Sequence, residues 1–186
     1  MSHEQLSQEG DLWVFAYGSL MWRPDFDYVE VQTAVLYGWH RSMCILSHHY
    51  RGTPERPGLV LGLDRGGSCR GRAFRIDAAR REAVIAYLYE REMITNAYIP
   101  RYLAVRLGDG RRLPALTFVV DREHGQYLRP NSPEQAAAMI RASCGKMGKC
   151  RDYLANTVAH LDSMGLREGA LHRLLKLVDA PDGAEG

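Results

Sequence analysis

The chain is 186 residues long, 46% hydrophobic and 25% charged, a profile that excludes a disordered or fibrous chain and allows one buried core. Lys and Arg number 24 against 22 Asp and Glu, a formal net charge of +2, so a domain built to neutralise many phosphates is disfavoured and no nucleic-acid partner is expected. No run approaches the roughly 18 apolar residues of a membrane span, and Met1–Asp11 is polar and acidic, so neither membrane insertion nor a signal peptide is expected.

After a loose tail over the first ten residues, Leu12–Tyr17 is apolar, aromatic and β-branched, and breaks at Gly18-Ser19: a strand running into a turn. Further strands are predicted at Val29–Tyr37, Ser42–Ser47, Leu59–Leu63 and Arg70–Ile76, with turns at Arg51-Gly52-Thr53-Pro54 and Arg65-Gly66-Gly67. A helix capped by Asp77 follows, its apolar positions Val84, Ile85 and Leu88 recurring at helical spacing to about Met93. Strands at Tyr102–Leu107 and Leu116–Val120 flank the turn Gly108-Asp109-Gly110. The rest is helical. One helix starts at Asn131 or Ser132, with Pro133 at the first position and Gln135 where a capping box wants it, and carries Ala136–Ala142. Another spans about Arg151–Met164 and stops at Gly165, and a last one runs from Arg167 to about Val178 before the tail Ala180–Gly186. The pattern predicts an α+β class in one domain over residues 11–180, with a mixed or antiparallel sheet and closure into a barrel left open.

Two places carry chemistry. In Phe15-Ala16-Tyr17-Gly18-Ser19-Leu20 a strand ends at a glycine, whose freedom turns backbone N–H groups outward where they can hold a carboxylate or an oxyanion. The plainer reading is a tight turn after a buried strand. On the first long helix, Val84, Leu88 and Glu92 fall at i, i+4 and i+8 on one stripe, whereas Glu82 and Glu90 fall on the opposite side. A carboxylate on a core-facing stripe is costly unless paired, protonated or used, and burial with the helix C-terminus both raise its pKa, as a general acid/base requires. The alternative is a Glu92 that escapes to solvent or pairs with Arg91 or Arg101.

Other groupings are weaker. Cys44, His48 and His49 resemble part of a metal set, but alternate residues of a strand face opposite sides and no further ligand follows, so no metal is expected. The four cysteines form no CxxC pair and a chain of this length needs no disulfide staple, which points to the cytoplasm and to buried or incidental thiols. Gly66–Gly71 lacks the ending of a phosphate loop and reads as a hairpin turn; Gly145–Arg151 reads as a basic loop, in which Lys146, Lys149 and Arg151 could meet an anion.

Four segments stand in order between Trp13 and Leu175: Phe15-Ala16-Tyr17-Gly18-Ser19-Leu20-Met21-Trp22; His49-Tyr50-Arg51-Gly52-Thr53-Pro54 with Pro57-Gly58; Tyr87-Leu88 with Arg91-Glu92-Met93-Ile94; and Gly145-x-x-Gly148 ahead of Asp152-Tyr153-Leu154. Together they resemble the ChaC-type γ-glutamylcyclotransferases. The resemblance implies a small barrel-like sheet with surrounding helices, a cytoplasmic enzyme without metal or organic cofactor, and cleavage of glutathione to 5-oxoproline and cysteinylglycine. It implies that Tyr17, Gly18, Ser19 and Leu20 bind the γ-glutamyl group beside the strand end Val14–Ala16, that Glu92 is the catalytic acid/base, and that Tyr153 contacts the substrate. The partner implied is a small molecule, glutathione or another γ-glutamyl compound; oligomeric state is left open. One departure is the connection Met93-Ile94-Thr95-Asn96-Ala97-Tyr98, where some members have a short Lys-Gly-Gly-Tyr turn; it resembles a bacterial variant. A non-catalytic module that binds γ-glutamyl groups through Gly18 and Ser19 without needing Glu92 is the competing expectation.

Overall fold

The computed structural model describes residues 10–180, so the two expected tails lie outside it apart from Gly10 and Ala180. Strand β1 (Leu12–Ala16) ends at a single 3-10 turn, Ser19–Met21. Two long strands follow, β2 (Glu30–Ser47) and β3 (Gly58–Ile76), then helix α1 (Arg81–Glu92) and strands β4 (Tyr98–Leu107) and β5 (Arg112–Val120). Helix α2 (Pro133–Ala142), the two-residue strands β6 (Cys144–Gly145) and β7 (Gly148–Lys149), and helices α3 (Cys150–Ser163) and α4 (Gly169–Asp179) complete the order. The first five strands close into a barrel in the order β1-β3-β2-β4-β5. β1 lies antiparallel to β3, with Leu12 opposite Ile76 and Ala16 opposite Arg72, and closure comes from a parallel pairing of Val14 with Leu116 of β5. The class is α+β, with a mixed barrel and helices, as the sequence implied.

The contacts divide the chain into two compact units, one taking in residues up to His40 with Arg65–Val119, the other Arg41–Asp64 with the chain from Val120 onward. In the first unit Leu12, Val14, Phe15 and Ala16 of β1, from both faces of the strand, are buried, as are Ala73, Phe74 and Ile76 of β3 and Val84 and Leu88 of α1. Phe74 takes Phe26 and Tyr28 edge-on, at ring-centroid distances of 5.7 and 5.0 Å. Removing these rings and aliphatic chains from water is what stabilises the unit.

In the second unit, α2, α3 and α4 pack on one another through Ile140, Leu154, Val158, Leu161, Leu171, Leu174 and Val178, all buried. Arg41, its side chain fully buried, is paired with Glu168, and Asp64, also buried, holds Arg122 at 2.7 Å and Tyr127 at 2.9 Å. Each buried charge therefore has its counter-charge, without which burial would cost several kcal/mol, of order 3–5. No helix among the described residues is long and apolar enough to cross a membrane.

Three expectations are corrected. Val29–Tyr37 and Ser42–Ser47 are one continuous strand, as are Leu59–Leu63 and Arg70–Ile76. Gly38 (φ +81), Gly66 (φ +109) and Gly67 (φ +65) sit inside these strands and let them kink without ending, so the segment from Gly66 is no hairpin turn. His40 Nδ1 lies 3.0 Å from the Gly66 carbonyl. The Gly145–Arg151 stretch read as a loop contains the β6–β7 hairpin, turned by Gly148 at φ +96, and the start of α3.

Candidate active site

The turn after β1 and the end of α1 meet in the first unit. Tyr17 and Gly18 are half-buried, Ser19 is exposed, and the Leu20 side chain is buried. The turn's first internal bond runs from the Met21 N–H to the Gly18 carbonyl at 2.9 Å. The N–H groups of Ser19 and Leu20 thus stand ahead of the bonded ladder, as the first donors of any helical turn do. Leu20 can serve a ligand only through its backbone, since its side chain belongs to the core.

On α1 the stripe behaves as its spacing predicts: Val84 and Leu88 are buried, Glu82 and Glu90 are exposed, and Glu92 continues the buried side with 21% of its side chain accessible. Burial raises the Glu92 pKa above the ordinary glutamate value, and the neighbouring Arg91 guanidinium opposes that rise. The carboxylate does not escape to solvent, and it pairs with Arg91 as the alternative expected, though loosely, its Oε1 lying 3.5 Å from Arg91 Nε.

Arg91 itself is the residue that the sequence undervalues, since it enters there only as a partner for Glu92 and as its neighbour in a motif, with no role of its own. Its Nη2 donates to Ser19 Oγ at 2.9 Å, and its Nη1 donates to Tyr87 Oη at 2.8 Å and to the Arg23 carbonyl at 2.9 Å. Asp25 Oδ2 stands 3.5 Å from Nη1. The available signal was the i, i+4 spacing of Tyr87 and Arg91 on one helix face. Beside this cluster opens a cleft of about 560 Å³ lined by Asp25, Phe26, Ala79, Ala83 and Tyr87 among others. Neither Ser19 nor Glu92 lines it.

Tyr153 belongs to the second unit. It is half-buried on the first turns of α3, its Oη accepts the Leu61 N–H at 3.2 Å, and the Arg51 guanidinium carbon stands 5.5 Å from its ring centroid. Arg51 also donates to the Met147 carbonyl at 2.6 Å. The glycines of the motifs explain this loop. A Cβ on Gly52 would come within 2.1 Å of Gly58 N, and one on Gly145 within 2.6 Å of Gly52 N, so three backbone strands touch with no room for a side chain. The Lys146 and Met147 N–H groups complete the contact by donating to the His49 and Tyr50 carbonyls at 2.8 and 2.9 Å.

Among the described residues no cluster of three or more His, Cys, Asp or Glu is placed to hold a metal ion. All four cysteines are free, with Cys44, Cys69 and Cys150 buried and Cys144 exposed.

Comparison with known proteins bears out the family resemblance. The sequence profile of the ChaC-like protein family matches residues 12–181. The chain is 36% identical over 181 residues to the glutathione-specific gamma-glutamylcyclotransferase of Escherichia coli, covering 94% of this chain and 78% of that one. It is 33% identical to the Schizosaccharomyces pombe protein of the same name, covering 84% of this chain and 87% of the relative. In fold it is similar to the crystal structure of a yeast gamma-glutamyl cyclotransferase specific to glutathione, with a TM-score of 0.80 at 22% identity over 92% of this chain and 96% of the other. With the profile and both relatives spanning nearly all of its length, the chain belongs to the ChaC-like protein family.

Proposed function

We propose that this chain is a γ-glutamylcyclotransferase that cyclises the γ-glutamyl group of glutathione to 5-oxoproline and releases cysteinylglycine, with Glu92 as the proton shuttle. The observation that carries the assignment of Glu92 is its position: a carboxylate of raised pKa at the end of α1, joined through Arg91 to the turn that presents Ser19 and Leu20. The names of the relatives support the reaction and its substrate.

The substrate brings its own nucleophile. Its α-ammonium has no lone pair until a base takes a proton, and the Glu92 carboxylate is that base. The freed amine attacks the γ-carbonyl carbon, forming the lactam C–N bond. The amide C–N bond then breaks as Glu92 returns that proton to the departing nitrogen. The lactam nitrogen, which still bears two hydrogens after the attack, gives its second proton to Glu92, which passes it to the released amine as that becomes an ammonium, so no proton is gained or lost overall. Holding the amine against its own carbonyl contributes roughly 7–11 kcal/mol of barrier reduction. The Ser19 and Leu20 N–H groups supply donors for an anionic group of the substrate, its α-carboxylate or the oxyanion at the γ-carbon. Tyr17 and Gly18 frame the same turn. Because the nucleophile is the substrate's amine, the reaction asks for no metal or organic cofactor.

The uninterrupted profile match supports residues 11–180 working as one catalytic domain. A near-neutral charge supports a small-molecule partner rather than nucleic acid, and the four free thiols support a cytoplasmic setting. The test is release of 5-oxoproline from glutathione by the purified protein. Glu92→Gln, which keeps the shape and removes the base, is expected to lower kcat by about 10²–10⁴-fold. Equal rates for the two proteins would overturn the assignment. A panel of γ-glutamyl amino acids and amines, compared by kcat/KM, reads substrate breadth.

A further inference from the structure

The geometry points to Arg91 as a positioning residue for this reaction: its guanidinium joins the Ser19 hydroxyl to the end of α1 and so sets where the Tyr17–Leu20 turn stands relative to Glu92. This rests on the reading of Glu92 as the acid/base.

All three guanidinium nitrogens are engaged. Nη2 holds Ser19 Oγ, Nη1 holds the Arg23 carbonyl and Tyr87 Oη and approaches Asp25, and Nε faces Glu92. Ser19, Arg23 and Asp25 come from the segment that follows β1, whereas Tyr87 and Glu92 belong to α1. One side chain therefore couples the donors that would meet the substrate to the carboxylate that would move its proton. The group is 23% exposed, sheltered enough for its hydrogen bonds to fix a geometry rather than exchange freely with water. The Glu92 approach, at 3.5 Å, is longer than the 2.9 Å bond to Ser19. Arg91 therefore grips the turn more firmly than it grips the carboxylate, which stays able to take and return a proton. The titratable groups against the guanidinium are Asp25 from the segment after β1, and Tyr87 and Glu92 from α1. A lysine keeps the charge but cannot span these partners, because a compact ammonium lacks the planar fork.

The experiment compares kcat, KM and the pH dependence of 5-oxoproline release for the parent, Arg91→Lys, Arg91→Gln, Ser19→Ala and the double variant Arg91→Gln/Ser19→Ala. Glu92→Gln is the reference for loss of the shuttle, and Glu90→Gln, on the exposed side of α1, is the control expected to match the parent. Both Arg91 variants are expected to lose about 10- to 100-fold in kcat, the scale of a small misplacement of reacting groups. In Arg91→Gln the rise of kcat/KM with pH moves to higher pH, because removing a neighbouring positive charge favours the protonated acid. In Arg91→Lys that rise stays near its parent position while kcat remains low. The double variant loses less than the product of the single losses, since both remove one link. A merely structural role would lower the thermal midpoint and the folded fraction, leaving kcat per folded molecule and the pH profile in place. Should Arg91→Gln fold poorly, Arg91→Lys carries the same comparison. A parent-like kcat and pH profile in the Arg91 variants, with Glu92→Gln inactive, overturns the positioning role alone. Full activity in Glu92→Gln overturns the acid/base reading on which it rests.

Discussion

Glu92 is subject to two opposing influences, burial that favours its proton and Arg91 that favours its charge, and burial is the larger. A carboxyl whose pKa is raised in the folded state binds its proton more tightly there than in the unfolded chain. Its contribution to folding is therefore fully present below the ordinary glutamate range and is lost as the pH rises through the raised value. Above that raised value the ionised Glu92 is thus a burden on the fold. Glu92→Gln is expected to show a thermal midpoint at or above the parent's at neutral pH, with the difference narrowing as the pH falls below the ordinary glutamate range; a lower midpoint at neutral pH contradicts this account. The placement of Glu92 was legible because helical spacing alone puts position 92 above Val84 and Leu88. The importance of Arg91 was not, because its partners Ser19, Arg23 and Asp25 lie about 70 residues away in sequence, and no local pattern announces such a meeting. Gly145 makes the same point with backbone. Gly145→Ala places a methyl group 2.6 Å from the Gly52 nitrogen and 2.7 Å from the Arg51 nitrogen, and is expected to destabilise by about 3 kcal/mol in urea unfolding, since the obstruction is main chain that has no rotamer to change.

Elements were read best where a side chain closes its own end. Ser132 caps α2 by accepting the Gln135 N–H at 3.2 Å, and Gln135 reaches back to the Asn131 N–H at 2.6 Å, one residue earlier than a strict capping box. Ser132→Ala is expected to cost about 1 kcal/mol, measured by thermal or urea unfolding. Gly165 ends α3 as expected: at φ +69 it donates to the Asp162 carbonyl while Leu166 donates to Leu161, the paired bonds of a left-handed helix stop. Asp77 also caps as expected, but it caps the 3-10 turn Ala78–Arg80 that precedes α1. The long strands differ from the expected short ones for a physical reason. A glycine at positive φ serves a hairpin turn and an in-strand kink equally well, and which one forms depends on the neighbouring strand, not on the adjoining residues. The β6–β7 hairpin was hidden similarly: its bonding to His49 and Tyr50 reaches across the sequence, and only its glycines were visible beforehand.

For the molecule as a whole, the class was legible in the residue pattern and the barrel in the family resemblance; the pattern alone left closure open, because it depends on a parallel pairing between Val14 and Leu116, residues that share no local pattern. The first unit also carries a surface network in which Arg75 bonds Asp11 and Glu30, and Arg111 bonds Glu30 and Asp109. Hydrogen bonds from Gln32 and the Arg111 backbone, with the Arg111 side chain adding to them, lower Asp109 to about 2; those from Gln32 and Arg75 lower Glu30; and those from Arg75 lower Asp11. Groups with depressed values stabilise the fold above their unfolded pKa and lose that contribution as the pH falls through the folded one. The thermal midpoint should therefore fall between the ordinary carboxylate range and about pH 2, and less steeply in Asp109→Asn. The thiols have a consequence of another kind. Burial pushes Cys44 up to about 12 and raises Cys150, while Cys69 is enclosed and Cys144 alone stands exposed. A thiol-reactive reagent should thus react quickly with one sulfur per native chain and with four after unfolding. The ratio of fast to total thiols then counts folded molecules directly, and a dye on Cys144 would report from β6, immediately beside the packed glycines of the second unit.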